Sequence, residues 1–209
     1  MNDKKDAFFL KTKRLEALSD GVFAIVMTLL VIELIIPSIP KIQAANLPLI
    51  LLDMWPKFLA FAISFLVLGI IWYNHHYQFG YIRRSNGILA WINIFLLLSV
   101  SLMPFSTALI GEYHIHSKVA TIFWGVNSLV IVLLCNLIWW YASGKYRLID
   151  PDIDPRVVFY LRISTLAVAA LFILAIGLSF ISPFIGIIIY TITALSGIVI
   201  MMFRGRSRT

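Results

Sequence analysis

The chain has one cysteine among 209 residues, so no disulfide can close within it. Cys135 sits in an apolar run, where its ordinary role is that of a small core residue. Charge is also scarce: Asp, Glu, Lys and Arg make up 13% of the chain, against 61% hydrophobic residues and a mean hydropathy of +0.94. Too little polar surface remains to cover an apolar core in water, which excludes an ordinary soluble domain and leaves an integral membrane protein. No glycine-rich phosphate loop, HExxH, CxxC or GxSxG is present, so the chain does not read as an enzyme. Adjacent His75 and His76 diverge by about 100° on a helix and cannot share one metal. His114 and His116, beside Glu112, read as solvated loop residues. No metal or other cofactor is expected.

What is present in quantity is long apolar sequence. A spanning helix needs about 20 apolar residues, and six segments qualify: Leu15–Ile36, Trp55–Tyr73, Ile88–Ile110, Val119–Ser143, Val157–Phe180 and Pro183–Phe203. The sequence therefore predicts a single all-α membrane domain over residues 1–209, with six transmembrane helices and no appended soluble domain. Pro37 ends the first segment, and Pro56 opens the second where a missing N–H does no harm. Asp154-Pro155 reads as an N-cap followed by proline. Pro104 is expected to bend the third segment, and the last two should form a tight hairpin. The first segment is too long for a signal-peptide core and is read as retained.

The +7 balance is one of topology rather than of nucleic-acid binding, because the cations cluster at segment ends. Lys4, Lys5, Lys11, Lys13 and Arg14, then Arg83 and Arg84, then Lys145, Arg147 and Arg156, then Arg204, Arg206 and Arg208 fall on one side; Lys41 and Lys118 fall on the other. Both termini are thus expected to be cytoplasmic. Trp55, Trp72, Trp91, Trp139 and Trp140 lie near segment ends, as interfacial anchors do.

The first segment carries the chemistry. In RLEALSDGVFAIVMTLLVIEL, Arg14, Ser19 and Asp20 precede an apolar stripe in which Ile25, Leu29 and Ile32 share one helical face. Ionisable groups beside a spanning helix are costly and face protein or water. Asp20 lies about 140° round the helix from Ile25, so it is expected to turn away from the stripe and find a partner. Arg14 and the group Asn74, His75 and His76, just beyond the second segment, are the candidates. A structural role for this network is favoured over direct contact with a solute. The motif occurs once, so a central pore built from it requires several chains.

The run from Arg14 to Asp20, with the following GVFAIVMTLLVIEL, resembles the Arg-x-x-x-Phe-Ser-Asp signature of the transmembrane protein 175 (lysosomal potassium channel) family, in particular its single-repeat prokaryotic members. WPKFLAFAISFLVLGIIWYNHH is also similar to that family. Leu18 stands where the signature has phenylalanine. The resemblance implies a homotetrameric cation channel in the prokaryotic cell membrane. Its pore would be lined by the first helix of each subunit, with Ile25 as the principal constriction, Leu29 and Ile32 above it, and the Thr28 hydroxyl one turn away. Potassium would be the permeant ion. The chain has no TVGYG segment, so a ring of backbone carbonyls cannot replace the ion's hydration shell. Pore width, dewetting and hydroxyl oxygens would set a modest potassium preference. Glu33, about 80° from the Ile25 direction, would either draw cations to the mouth or bind a neighbour. The rival readings are an ion- or proton-coupled carrier titrating Asp20 and His75, against which no inverted repeat is visible, and an assembly protein whose stripe serves only for packing.

Overall fold

The computed structural model describes residues 12–34, 47–113 and 117–206, with side chains to residue 198. Lys4, Lys5, Lys11, Ile36, Pro37, Lys41, His114, His116 and Arg208, and the side chains of Arg204 and Arg206, lie outside what is described. The described chain is all-helical: α1 (Thr12–Leu29) runs on into a 3-10 turn, Leu30–Glu33, and is followed by α2 (Leu47–Asp53), α3 (Trp55–Phe79), α4 (Gly87–Ser101), α5 (Met103–Tyr113), α6 (Lys118–Ser143), α7 (Pro155–Ser179) and α8 (Pro183–Arg206). Among the described residues five helical stretches are long and apolar enough to cross a membrane: Thr12–Glu33, Trp55–Phe79, Gly87–Tyr113, Lys118–Tyr146 and Pro155–Ser179. Pro183–Ile198 adds a shorter apolar helix. The molecule is a multi-pass membrane protein.

Helix ends follow local chemistry. Asn86 Oδ1 accepts the Leu89 N–H at 3.0 Å and caps α4, while Ser117 Oγ caps α6 through Ala120 N. Asp154 Oδ1 accepts the Arg156 N–H at 2.8 Å with Pro155 at the first helical position, as the sequence suggested. Pro56 sits in the first turn of α3. The expected bend in the third segment is a break at Leu102, which places Pro104 in the first turn of α5, where its missing N–H costs least. The second segment departs from expectation: α3 continues six residues past Tyr73 to Phe79, so Asn74, His75 and His76 are helical rather than beyond the span.

α6 is the central helix, packed against α4, α5 and α7, with α8 closing on α7 and α6. Trp139 is fully buried and donates Nε1–H to Val158 O at 3.3 Å, so it ties α6 to α7 instead of anchoring in the interface; Trp55, Trp72, Trp91 and Trp140 keep exposed faces. Cys135 is a buried free thiol in the same core. Some polar groups in the core pair between helices: Trp124 Nε1–H donates to Ser64 Oγ at 2.9 Å, and Thr107 Oγ1 meets Ser64 Oγ at 2.7 Å. Trp124, Phe172 and Tyr190 form an aromatic trio, and a Cβ on Gly125 would run into the Tyr190 hydroxyl. With Tyr190 held against both other rings, Gly125→Ala is expected to cost about 1–3 kcal/mol through overpacking. That is a fall of roughly 2–12 °C in melting midpoint, checked by thermal unfolding in detergent.

At one end of the bundle the α3–α4 turn meets the α6–α7 turn: the Arg83 and Arg84 N–H groups both donate to Leu148 O, and Ile82 pairs with Ile149. The Glu16–His76 contact of 3.3 Å brings the start of α1 to the same end. Lys13, Arg14, Arg83, Arg84, Lys145, Arg147 and Arg156 therefore share that end.

Candidate functional site

α1 has two faces of different character. Leu15, Ser19, Phe23, Val26 and Leu30 follow the spacing of one helical face and are buried against α3 and α4. The opposite face is left uncovered by the described residues. Leu18, Ile25 and Ile32 are 49%, 60% and 58% exposed, Leu29 is exposed, and Gly21 and Thr28 lie open between them. Residues 18, 21, 25, 28 and 32 alternate spacings of three and four. Such spacing keeps these residues on one continuous stripe along the helix. A Cβ at Gly21 would meet no atom within 4 Å. Thr28 Oγ1–H donates to Ile25 O at 2.7 Å, leaving the hydroxyl's lone pairs directed away from the helix backbone.

On the buried face the polar residues form a chain of hydrogen bonds. Ser19 Oγ–H donates to Leu15 O at 2.9 Å, Asn93 Nδ2–H donates to Ser19 Oγ at 3.0 Å, and His75 Nε2 lies 2.9 Å from Asn93 Oδ1. These bonds are mutually consistent when the imidazole carries its proton on Nε2. Ser19, His75 and Asn93 are fully buried. The His75 ring stacks on Phe79 at 4.3 Å between centroids and tilts against Phe23 at 6.1 Å. α1 is thereby fixed to α3 and α4 at one depth, which sets its rotation and hence the direction of the open face.

The structure joins Ser19 and His75, and it supplies a middle member, Asn93, that the sequence reading did not single out. It corrects the partner expected for Asp20: the carboxylate accepts the Trp72 Nε1–H at 2.8 Å rather than binding Arg14, Asn74, His75 or His76. Trp72 in turn stacks on His76 at 5.8 Å. Arg14 is exposed, and neither it nor Asn74 makes a side-chain hydrogen bond or ion pair among the described residues. Asp20 and His75, the pair a coupled carrier would titrate, bond to different partners. At the other end of α1, Lys57 Nζ binds Glu112 Oε2 at 2.8 Å near Glu33.

Comparison with known proteins bears on the same residues. The family described as "Endosomal/lysosomal potassium channel TMEM175" matches residues 14–104, which take in α1, α3, α4 and the polar chain between them. A potassium channel of Chamaesiphon minutus is 36% identical over 85% of this chain and 88% of its own, and one of Streptomyces collinus is 35% identical over 81% and 82%. The crystal structure described as that of a lysosomal potassium-selective channel TMEM175 homolog from Chamaesiphon minutus superposes with a TM-score of 0.81. It is 33% identical and covers 90% of this chain and 96% of that one.

Proposed function

Because the chain belongs to the TMEM175 family, we propose that it is a potassium-preferring cation channel, a homotetramer of six-span subunits in a prokaryotic plasma membrane with both termini cytoplasmic. Four copies of α1 line one pore. The observation that carries this reading is the uncovered seam of α1. A lipid-facing stripe has no need of Gly21 and Thr28 between its large residues, whereas small and hydroxyl-bearing residues are what close helix approach or a wet pathway selects. Turned to a common axis, Ile25, Leu29 and Ile32 make apolar rings that restrict flow by dewetting. Thr28 places a ring of oxygens one turn from Ile25. A potassium preference then arises from width and sparse oxygen ligation, and it is modest because the ion keeps much of its water.

The Ser19–Asn93–His75 chain and the Asp20–Trp72 bond hold α1 from behind and do not touch the ion. Asp20→Ala removes one bond at a half-buried position, worth about 0.5–1.5 kcal/mol. It is expected to lower the yield of assembled protein, measured by size-exclusion chromatography, while assembled channels keep the parent's reversal potential. A shifted reversal potential in well-assembled Asp20→Ala would put the carboxylate in the pathway instead.

Single-channel recording after reconstitution tests the function itself. Discrete unitary currents reversing toward the potassium equilibrium potential are expected. Strictly coupled, saturable flux without unitary events would establish the carrier, and no flux the assembly protein.

A further inference from the structure

Where α6 stops and α7 begins, an arginine enters the apolar wall of the bundle with no acid to meet it. Arg162 lies seven residues inside α7, about 10 Å along its axis. Because Cα–Cβ bonds tilt toward the helix N-terminus, its head returns to the end of the bundle. There Nη2–H and Nε–H donate to Ser143 Oγ at 2.8 and 3.2 Å, and Cζ sits 5.5 Å from the centre of the Trp140 ring. Trp140 is 56% exposed, the disposition of a headgroup-level anchor. Of the nearby acids, Asp150 faces Arg83 at 3.8 Å and accepts the Asp152 N–H, Asp154 caps α7, and Asp152 is exposed in the turn before it. Arg162 has no carboxylate partner among the described residues.

The adjoining turn carries charge at the same end of the bundle. Lys145 and Tyr146 both adopt φ of 52°, a left-handed conformation costly for residues with side chains. This reversal folds Leu148 into the core, 1% exposed, and leaves Lys145 and Arg147 outside. Arg147 lies over the Tyr141 ring at 4.7 Å, and the Tyr141 hydroxyl accepts from Asn86 Nδ2, so this cation lies toward α4 and not beside Arg162.

We propose that Arg162, Ser143 and Trp140 form a binding site for the headgroup phosphate of an anionic phospholipid on the outer wall of each subunit. The guanidinium is held by Ser143 and the indole, with further N–H donors left to meet phosphate oxygens. The indole marks the depth at which that phosphate lies. A guanidinium with no carboxylate partner selects a net-negative headgroup over phosphatidylcholine, whose choline cancels the phosphate charge. The site stands apart from α1 and does not depend on the pore reading.

Phosphatidylglycerol titrated into the detergent-solubilised full chain, followed by melting midpoint and by native mass spectrometry of retained lipid, tests the site. Arg162→Gln is expected to weaken apparent phosphatidylglycerol affinity about fivefold, with Arg156→Gln, an exposed cation on the same helix, close to the parent. Equal stabilisation by phosphatidylcholine, equal stabilisation by inorganic phosphate, or an unchanged affinity in Arg162→Gln would each overturn the proposal. Should Arg162→Gln not fold, Trp140→Ala, at the exposed ring that holds the guanidinium, carries the same expectation and the same refutation.

Discussion

Ile25→Asn is expected to raise unitary conductance and weaken discrimination between potassium and sodium, with assembly unchanged. Ile25 is 60% exposed, so the substitution falls on the open face of the subunit rather than in its core. On that face an isoleucine ring repels water, and an ion crossing it is dehydrated without compensation. Asparagine supplies a carbonyl oxygen and two N–H donors to hold water there. A barrier lowered by about 1.4 kcal/mol carries about tenfold more current. Because the ion then passes with its water shell intact, the permeability ratio moves toward unity. Single-channel conductance and bi-ionic reversal potentials check both parts. A well-assembled variant conducting like the parent would remove Ile25 from the pathway.

The second large effect is structural. Asn93→Leu, close in volume to the parent residue, is expected to lower the melting midpoint by roughly 5 °C and to reduce the fraction of protein recovered as the assembled species. Asn93 links Ser19 on α1 to His75 on α3, and all three are fully buried. Interhelical hydrogen bonds in membranes average about 0.6 kcal/mol, because the separated helices find other partners. Two lost bonds alone would thus be a small penalty. Stranding the imidazole N–H in an apolar site costs more, about 1–3 kcal/mol; a melting midpoint moves about 2–4 °C for each kcal/mol in a chain of this size. Folded Asn93→Leu is expected to keep its ion preference, since no member of the chain lies on the open face of α1. A midpoint equal to the parent's would show that the polar chain does not fix α1.

Much of this arrangement was legible in the sequence, and what was not has a physical reason. The turning of Asp20 away from Ile25 follows from helical angle alone, and in α1 the carboxylate is half-buried against Trp72 while Ile25 is exposed. The cap at Asp154 and the proline positions are local signals and were readable one by one. The partner of Asp20 was not. Trp72 is 52 residues away and, near a segment end, reads as an interfacial anchor, the role that hydropathy assigns to every such tryptophan. Its N–H donor becomes informative only once α1 and α3 are known to run side by side. Asn93 was missed for a related reason: one amide among Trp91, Ile92, Ile94 and Phe95 leaves no periodic trace, and its importance lies in two partners from other helices. The continuation of α3 to Phe79 was hidden because Asn74, His75, His76 and Gln78 end the hydrophobic run without ending the helix. Hydropathy reports the edge of the apolar layer, and backbone hydrogen bonding carries the helix past it.

The direction in which the open face of α1 points decides whether the protein conducts through it, and a density map of the assembled protein in a lipid bilayer measures that directly. The expected map has four subunits about one axis, with Ile25 from each directed at that axis and Leu29, Thr28 and Ile32 above it. A map with Ile25 turned to lipid, or buried against a neighbouring helix away from the axis, would contradict the pore.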